Sequence, residues 1–221
     1  MESSDCRRPC IAFQVYGVNP FDCKGCLKRT FKSVLLGDRM KIAFVGTHCS
    51  GKSSRVREFT KVLRALGLSI ESTSDIERDC PYPISQEGNF DSQKWILENL
   101  MKLETLTLKK KPDILVCDRS SYDTIPYSAW LYDHSRMFLN DYLKLKDDAM
   151  EWGKTYDTLI YCPSLPLRED NIRDGADVIY QRDIARRFEI LLKSLGSNRV
   201  LYLSDEGNEV RSGLERYGEV G

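Results

Sequence analysis

Short apolar runs alternate with longer stretches of helical period along most of this chain. Lys41 to Val45, Ser69 to Ser72, Ile114 to Cys117, Thr158 to Cys162 and Val200 to Leu203 are five runs with the length and side-chain content of strands. Between the first two, Val56, Phe59, Val62, Leu63 and Leu66 recur at helical spacing over Gly51 to Leu66, and Gly67 supplies a left-handed stop. Asp91 and Ser92 are placed to cap a second helix in which Trp95, Ile96, Leu100, Leu103 and Leu106 share one face, ending before Pro112. Tyr122 to Asp133 and Met137 to Trp152 read as two more helices, and Ile184, Phe188, Leu191 and Leu192 mark another before the fifth strand. Strands separated by helices of this length predict a parallel sheet covered by crossover helices, an α/β fold.

Residues 1–39 have no sustained apolar period and pass through Gly37, Asp38 and Arg39 into the first strand. The chain therefore divides into an N-terminal extension, 1–39, and one domain, 40–221, whose size suits a single core. Lys+Arg and Asp+Glu both number 33. With no net field to draw nucleic acid or an anionic membrane, any phosphate recognition must be local. The longest apolar runs are strand-sized, so neither a membrane span nor a signal peptide is expected. Cys117 and Cys162 read as small buried strand residues, and a free thiol at Cys49 suits a reducing, cytoplasmic compartment.

Gly46-Thr47-His48-Cys49-Ser50-Gly51-Lys52-Ser53 fits G-x-x-x-x-G-K-[ST] between a buried strand and an amphipathic helix, and Ser54 follows in the same helical turn. The glycines let the backbone curl so that successive N–H groups and the positive helix end meet phosphate. Lys52 is expected on the β and γ oxygens of ATP, and Ser53 on magnesium. This loop predicts nucleotide binding without separating kinases from other nucleotide hydrolases and switches.

The segments MKIAFVGTHCSGKSS, DIERDCPYPI followed by SQKWIL, LVCDRSSYDTIPYS, and EDNIRD ahead of a basic helix resemble the AAA-type P-loop ATP-binding family similar to the nicotinamide riboside kinase domain. More distantly they resemble thymidylate and deoxynucleoside kinases. The resemblance covers roughly residues 40 to 195 and implies a three-layer α/β/α P-loop NTPase fold of nucleotide-kinase type, with a five-stranded parallel sheet of order 2-3-1-4-5.

On that resemblance Asp75 stands where the family has a glutamate that takes the acceptor's proton, with Glu71 and Glu77 as competitors, and Arg78 is placed to hold the acceptor. Asp118 ends the third strand in a Walker-B-like position for magnesium, and Arg119 matches an arginine on the acceptor or the transferred phosphoryl. Gln93 is the pocket candidate on the second helix, while the apolar period claims Trp95 for the core. Tyr122, Asp123 and Tyr127 are further pocket-shaping residues. Glu169 to Asp174 resembles the family's lid with Asn171 in place of glycine, making Arg173 the lid arginine expected on the γ-phosphate, ahead of Arg168, Arg182 and Arg186.

Cys6, Cys10, Cys23 and Cys26 have the spacing of a four-thiolate Zn2+ knuckle. The competing reading makes Met40 the natural beginning, with residues 1–39 a misassigned start. The functional expectation is an ATP- and Mg2+-dependent kinase acting on a nucleoside, nucleotide or related small molecule. An ATPase or switch acting through a protein partner is the alternative. A homo-oligomer is compatible with the sequence, and no basic stripe supports a nucleic-acid-processing ATPase.

Overall fold

The computed structural model of the chain describes residues 39–65, 67–165, 178–196, 199–203 and 210–212. Five strands, β1 (Met40–Val45), β2 (Ile70–Ser72), β3 (Ile114–Asp118), β4 (Thr158–Tyr161) and β5 (Val200–Leu203), run parallel in the order β2-β3-β1-β4-β5. Parallel pairing is what the alternation of strands and helices predicts, and the order is the one the family resemblance implies. A sixth strand, β6 (Val210–Ser212), pairs antiparallel with β5. Its three residues carry no apolar run, which is why the hydrophobic pattern does not announce it. The candidate zinc ligands Cys6, Cys10, Cys23 and Cys26, the candidate lid residues Arg168 and Arg173, and Leu66 lie outside the described residues.

The helices are α1 (Lys52–Ala65), α2 (Phe90–Leu108), α3 (Thr124–Asp133), α4 (Leu139–Gly153) and α5 (Val178–Ser194). Alternate residues of the central strands point to opposite sheet faces. Ile42, Phe44, Val116 and Ile160 pack against Val56, Phe59 and Leu63 of α1. Ala43, Val45, Leu115, Cys117 and Leu159 pack under Leu97, Ile125, Leu145 and Ile184 from α2 to α5. Each fully buried aliphatic or aromatic side chain contributes roughly 1.5–3 kcal/mol relative to exposure. Cys117 and Cys162 are buried free thiols, as expected.

Two local expectations are corrected. The cap of α2 is Asn89, whose side chain accepts from Ser92 N at 3.1 Å while Ser92 Oγ accepts from Asn89 N at 2.9 Å. Ser92 is thus the third residue of the helix in a reciprocal box, not its cap. The inward face of α2 is also turned: Ile96, Leu97, Leu100, Glu104 and Thr107 are buried, whereas Trp95 is half-buried and Leu106 is 59% exposed. The cause is Lys41, buried on β1, which pairs with Glu104 at 2.6 Å. A buried ammonium needs a carboxylate, and that requirement overrides the leucine period. None of the described helices is long and apolar enough to cross a membrane.

Candidate active site

The loop between β1 and α1 bends through Gly46 (φ +144°), Cys49 (φ +56°) and Gly51 (φ +75°). At Gly46 a Cβ would stand 2.4 Å from the carbonyl oxygen of Cys162, so the loop lies directly on the end of β4. Lys52 opens α1 and is buried; its ammonium donates to Gly46 O at 2.8 Å, Thr47 O at 2.5 Å and Ser50 Oγ at 3.3 Å. Arg55, one turn on, braces the loop from Ser50 O at 2.7 Å. Burial and then Arg119 lower the proton affinity of Lys52, against the pull of Asp123, Asp75 and Asp118. Burial pushes the Cys162 thiol up to about 11, with Arg55 and Lys52 opposing, so the wall behind the loop is neutral. Ser53 and Ser54 are exposed at the start of α1.

β3 delivers Asp118 and Arg119 to the same edge of the sheet, beside the exit of β1, because Asp118 is in register with Phe44. Asp118 N donates to Thr73 Oγ1 at 3.2 Å, but the buried Oδ1 has no hydrogen-bond partner among the described residues. A buried carboxylate oxygen left in this way suits a cation, and with the Ser53 hydroxyl it makes the sparse donor set that magnesium accepts when phosphates supply the rest. The residues present therefore fit a Mg·nucleotide.

Arg119 has the left-handed φ of +95°, a strained value for an arginine, and is buried. Its Nε donates to Asp75 Oδ1 at 2.8 Å and its Nη2 to Glu77. Burial works against its charge, and Asp75 and Glu77 more than compensate, so the guanidinium holds its proton more firmly than usual. Asp75 caps the short 3-10 turn Ile76–Asp79 after β2, with Oδ1 also accepting from Glu77 N at 3.3 Å. Of the two competitors to Asp75, Glu77 therefore shares its guanidinium, while Glu71 pairs with Lys110 at 3.0 Å on the exposed side. Arg78 is half-exposed, 3.9 Å from Asp75 Oδ2.

The 3-10 turn Ser121–Asp123 follows. Asp123, buried beside Lys52 and Arg119, accepts at Oδ2 from Ser120 N (3.0 Å) and Ser120 Oγ (2.8 Å), and its Oδ1 is buried without a partner among the described residues. Expected as a pocket-shaping residue, Asp123 instead lies buried within the electrostatic reach of Lys52 and Arg119. Tyr122 instead packs into the core. Tyr127 accepts from His48 N at 2.9 Å, and His48 stacks on Tyr180 with ring centroids 5.4 Å apart. Tyr127 thus supports the phosphate loop from α3. Gln93 is buried on α2, and Arg182 and Arg186 are exposed on α5.

Two cavities matter for placing an acceptor. One of about 410 Å³ is lined by Gln86, Trp130, His134, Arg136 and Tyr180, and its Tyr180 wall is the ring that stacks on His48 of the loop. A larger one of about 570 Å³ lies between α2 and α4 and includes none of the residues just described. The first is the site-side cavity on grounds of position, whatever its size.

No protein-family profile and no curated protein matches this sequence. Solved structures do match. Deoxyadenosine kinase from M. mycoides, with products dCMP and a flexible dCDP bound, superimposes with a TM-score of 0.56 at 19% identity, covering 76% of this chain and 91% of that one. NadR protein in complex with NAD and AMP-PNP gives a TM-score of 0.57 at 14% identity, covering 76% of this chain, and in complex with NR 0.56 at 16% identity, covering 77%. These matches take in 45% and 47% of the NadR chain, so this chain spans less than half of that protein. The fold, a parallel sheet of order β2-β3-β1-β4-β5 flanked by helices, is thus the one shared with the deoxyadenosine kinase and NadR structures.

Proposed function

We propose that this chain is an ATP-dependent kinase that transfers the γ-phosphoryl group to a hydroxyl or phosphate of a nucleoside, nucleotide or related metabolite. The observation that carries this reading is that the site has two ends. The phosphate loop with Lys52 is one; Arg119, bridging Asp75 and Glu77 from the loop after β2, is the other. A hydrolase or switch has no need of a guanidinium held by two carboxylates opposite its phosphate loop.

In this reading the amides of Gly46 to Ser54 and the Lys52 ammonium bind the triphosphate, and Ser53 and Asp118 hold magnesium, which supplies charge neutralisation on the phosphates. The acceptor lies toward the 410 Å³ cavity beside Tyr180, which is within the size range of small-ligand sites. Arg119 orients the acceptor oxygen, and Asp75 takes its proton as that oxygen bonds to the γ-phosphorus and ADP leaves with the bridging oxygen. Arg173, on the lid segment, adds a cation to the transferred group. Arg78 and Gln93 complete the acceptor side of the assignment, and Tyr127, bonded to His48 N, supports the phosphate loop instead.

The test is incubation with Mg·ATP and a panel of nucleosides, deoxynucleosides, nucleoside monophosphates and nicotinamide riboside, following ADP release and product mass. ADP formation that requires one of these acceptors supports the kinase. ADP release of equal rate with and without every acceptor overturns it in favour of an ATPase.

A further inference from the structure

Behind the site runs a buried polar chain that phosphate binding and proton transfer leave unused. Glu104 of α2 is fully buried; it accepts from Trp152 Nε1 at 2.6 Å and from Tyr156 Oη at 2.7 Å, and pairs with Lys41 at 2.6 Å. Tyr156 Oη in turn accepts from Ser121 N at 2.9 Å, and Ser121 Oγ donates to Ala149 O at 2.7 Å.

The direction of this chain is fixed by its far end. A phenol has one O–H, which Tyr156 donates to the carboxylate paired with Lys41, so a lone pair of Tyr156 is left facing Ser121 N. That amide opens the turn that carries Asp123, and the turn directly follows Arg119 with its left-handed backbone. Strained conformations persist only where their surroundings over-determine them. Here the restraints are the Ser120–Asp123 box on one side and the Tyr156–Ser121 and Ser121–Ala149 ties on the other.

We infer that Tyr156 is a positioning residue of the phosphoryl-transfer site, acting through the Ser121 amide to hold the turn that sets Arg119 and the Asp123 carboxylate beside Lys52. The catalytic consequence rests on the kinase reading; the structural one does not.

Tyr156→Phe removes the acceptor of Ser121 N, whereas Trp152→Phe removes a different donor to the same Glu104 and leaves the turn tied. Both variants are expected to lose similar melting temperature. Amide exchange at Ser121 is expected to accelerate about tenfold or more in Tyr156→Phe alone, with a displaced carboxyl 13C signal for Asp123. With the preferred acceptor, kcat is expected to fall about tenfold in Tyr156→Phe with Mg·ATP affinity within twofold, and to hold in Trp152→Phe. If the two variants share the same Ser121 exchange, Asp123 signal and kcat, the inference is overturned. Absence of turnover in every protein, wild type included, counts against the kinase alone, and the exchange and carboxyl signals still decide on Tyr156. Should Tyr156→Phe not fold, amide exchange at Ser121 in the wild type decides: protection of that amide supports the tie to Tyr156, and exchange as fast as that of an exposed amide overturns the inference.

Discussion

Arg119 and Asp75 stand 44 positions apart in the sequence and meet at 2.8 Å, Nε to Oδ1, with Glu77 taking the Nη2 edge of the same guanidinium. Two loops that leave adjacent strands, β2 and β3, are thereby locked together opposite the phosphate loop.

A lysine ammonium lacks the rigid planar fork of the guanidinium, so Arg119→Lys tests whether this planar bridge is used in turnover. The expected result is a loss of about a hundredfold in kcat with Mg·ATP affinity changed by less than about threefold, measured by steady-state kinetics and calorimetry. Equal losses in both would place Arg119 in nucleotide binding instead.

Tyr127→Phe deprives the buried His48 amide of its acceptor. An unpaired buried donor costs about 1–3 kcal/mol. Weaker Mg·ATP binding, by about tenfold, is therefore expected, with acceptor KM unchanged. A raised acceptor KM with unaltered nucleotide affinity would return Tyr127 to the acceptor pocket.

Asp123→Asn is expected to be more stable than the wild type at neutral pH and less active. Burial raises the native pKa of Asp123 above the unfolded value, with Lys52 and Arg119 pulling the other way. The ionised form thus costs stability above the native pKa, and that cost is relieved as pH falls through it toward the unfolded one. The melting-temperature advantage of the variant should therefore shrink on acidification. An advantage that is flat with pH, or negative at pH 7, contradicts the burial argument.

Gly153→Ala strikes the support from below. A Cβ at position 153 would lie 2.2 Å from Cζ of Tyr122, whose ring is buried against the end of α4. Overpacking of this kind costs typically about 1–3 kcal/mol, and calorimetry should show a clear drop in melting temperature. Unaltered melting would mean that the ring moves aside freely.

The five strands and the phosphate loop were legible because each rests on a local rule: apolar runs of strand length, and four specified residues at one spacing in a strand-to-helix context; the strand order came from the family resemblance, since no local pattern orders a sheet. What escaped depends on partners far apart in the chain. Glu104 lies off the apolar period of α2, and its burial depends on Lys41, 63 positions earlier and buried on β1. Asp91 was as good a cap by type as Asn89, and only the reciprocal bonds with Ser92 separate them. Glu77 and Asp75 could not be distinguished by type or spacing, because both reach the same guanidinium. Tyr127 was read as an acceptor contact, and its bond to His48 N depends on how α3 lies against the loop, which no local pattern encodes.

The short strand β6 covers the outer side of β5. A chain cut before Val210 would leave a row of bare peptide groups along β5, a ready template for a second molecule. Shortened forms of this protein are accordingly expected to pair edge to edge and come out of solution, even with every candidate site residue in place.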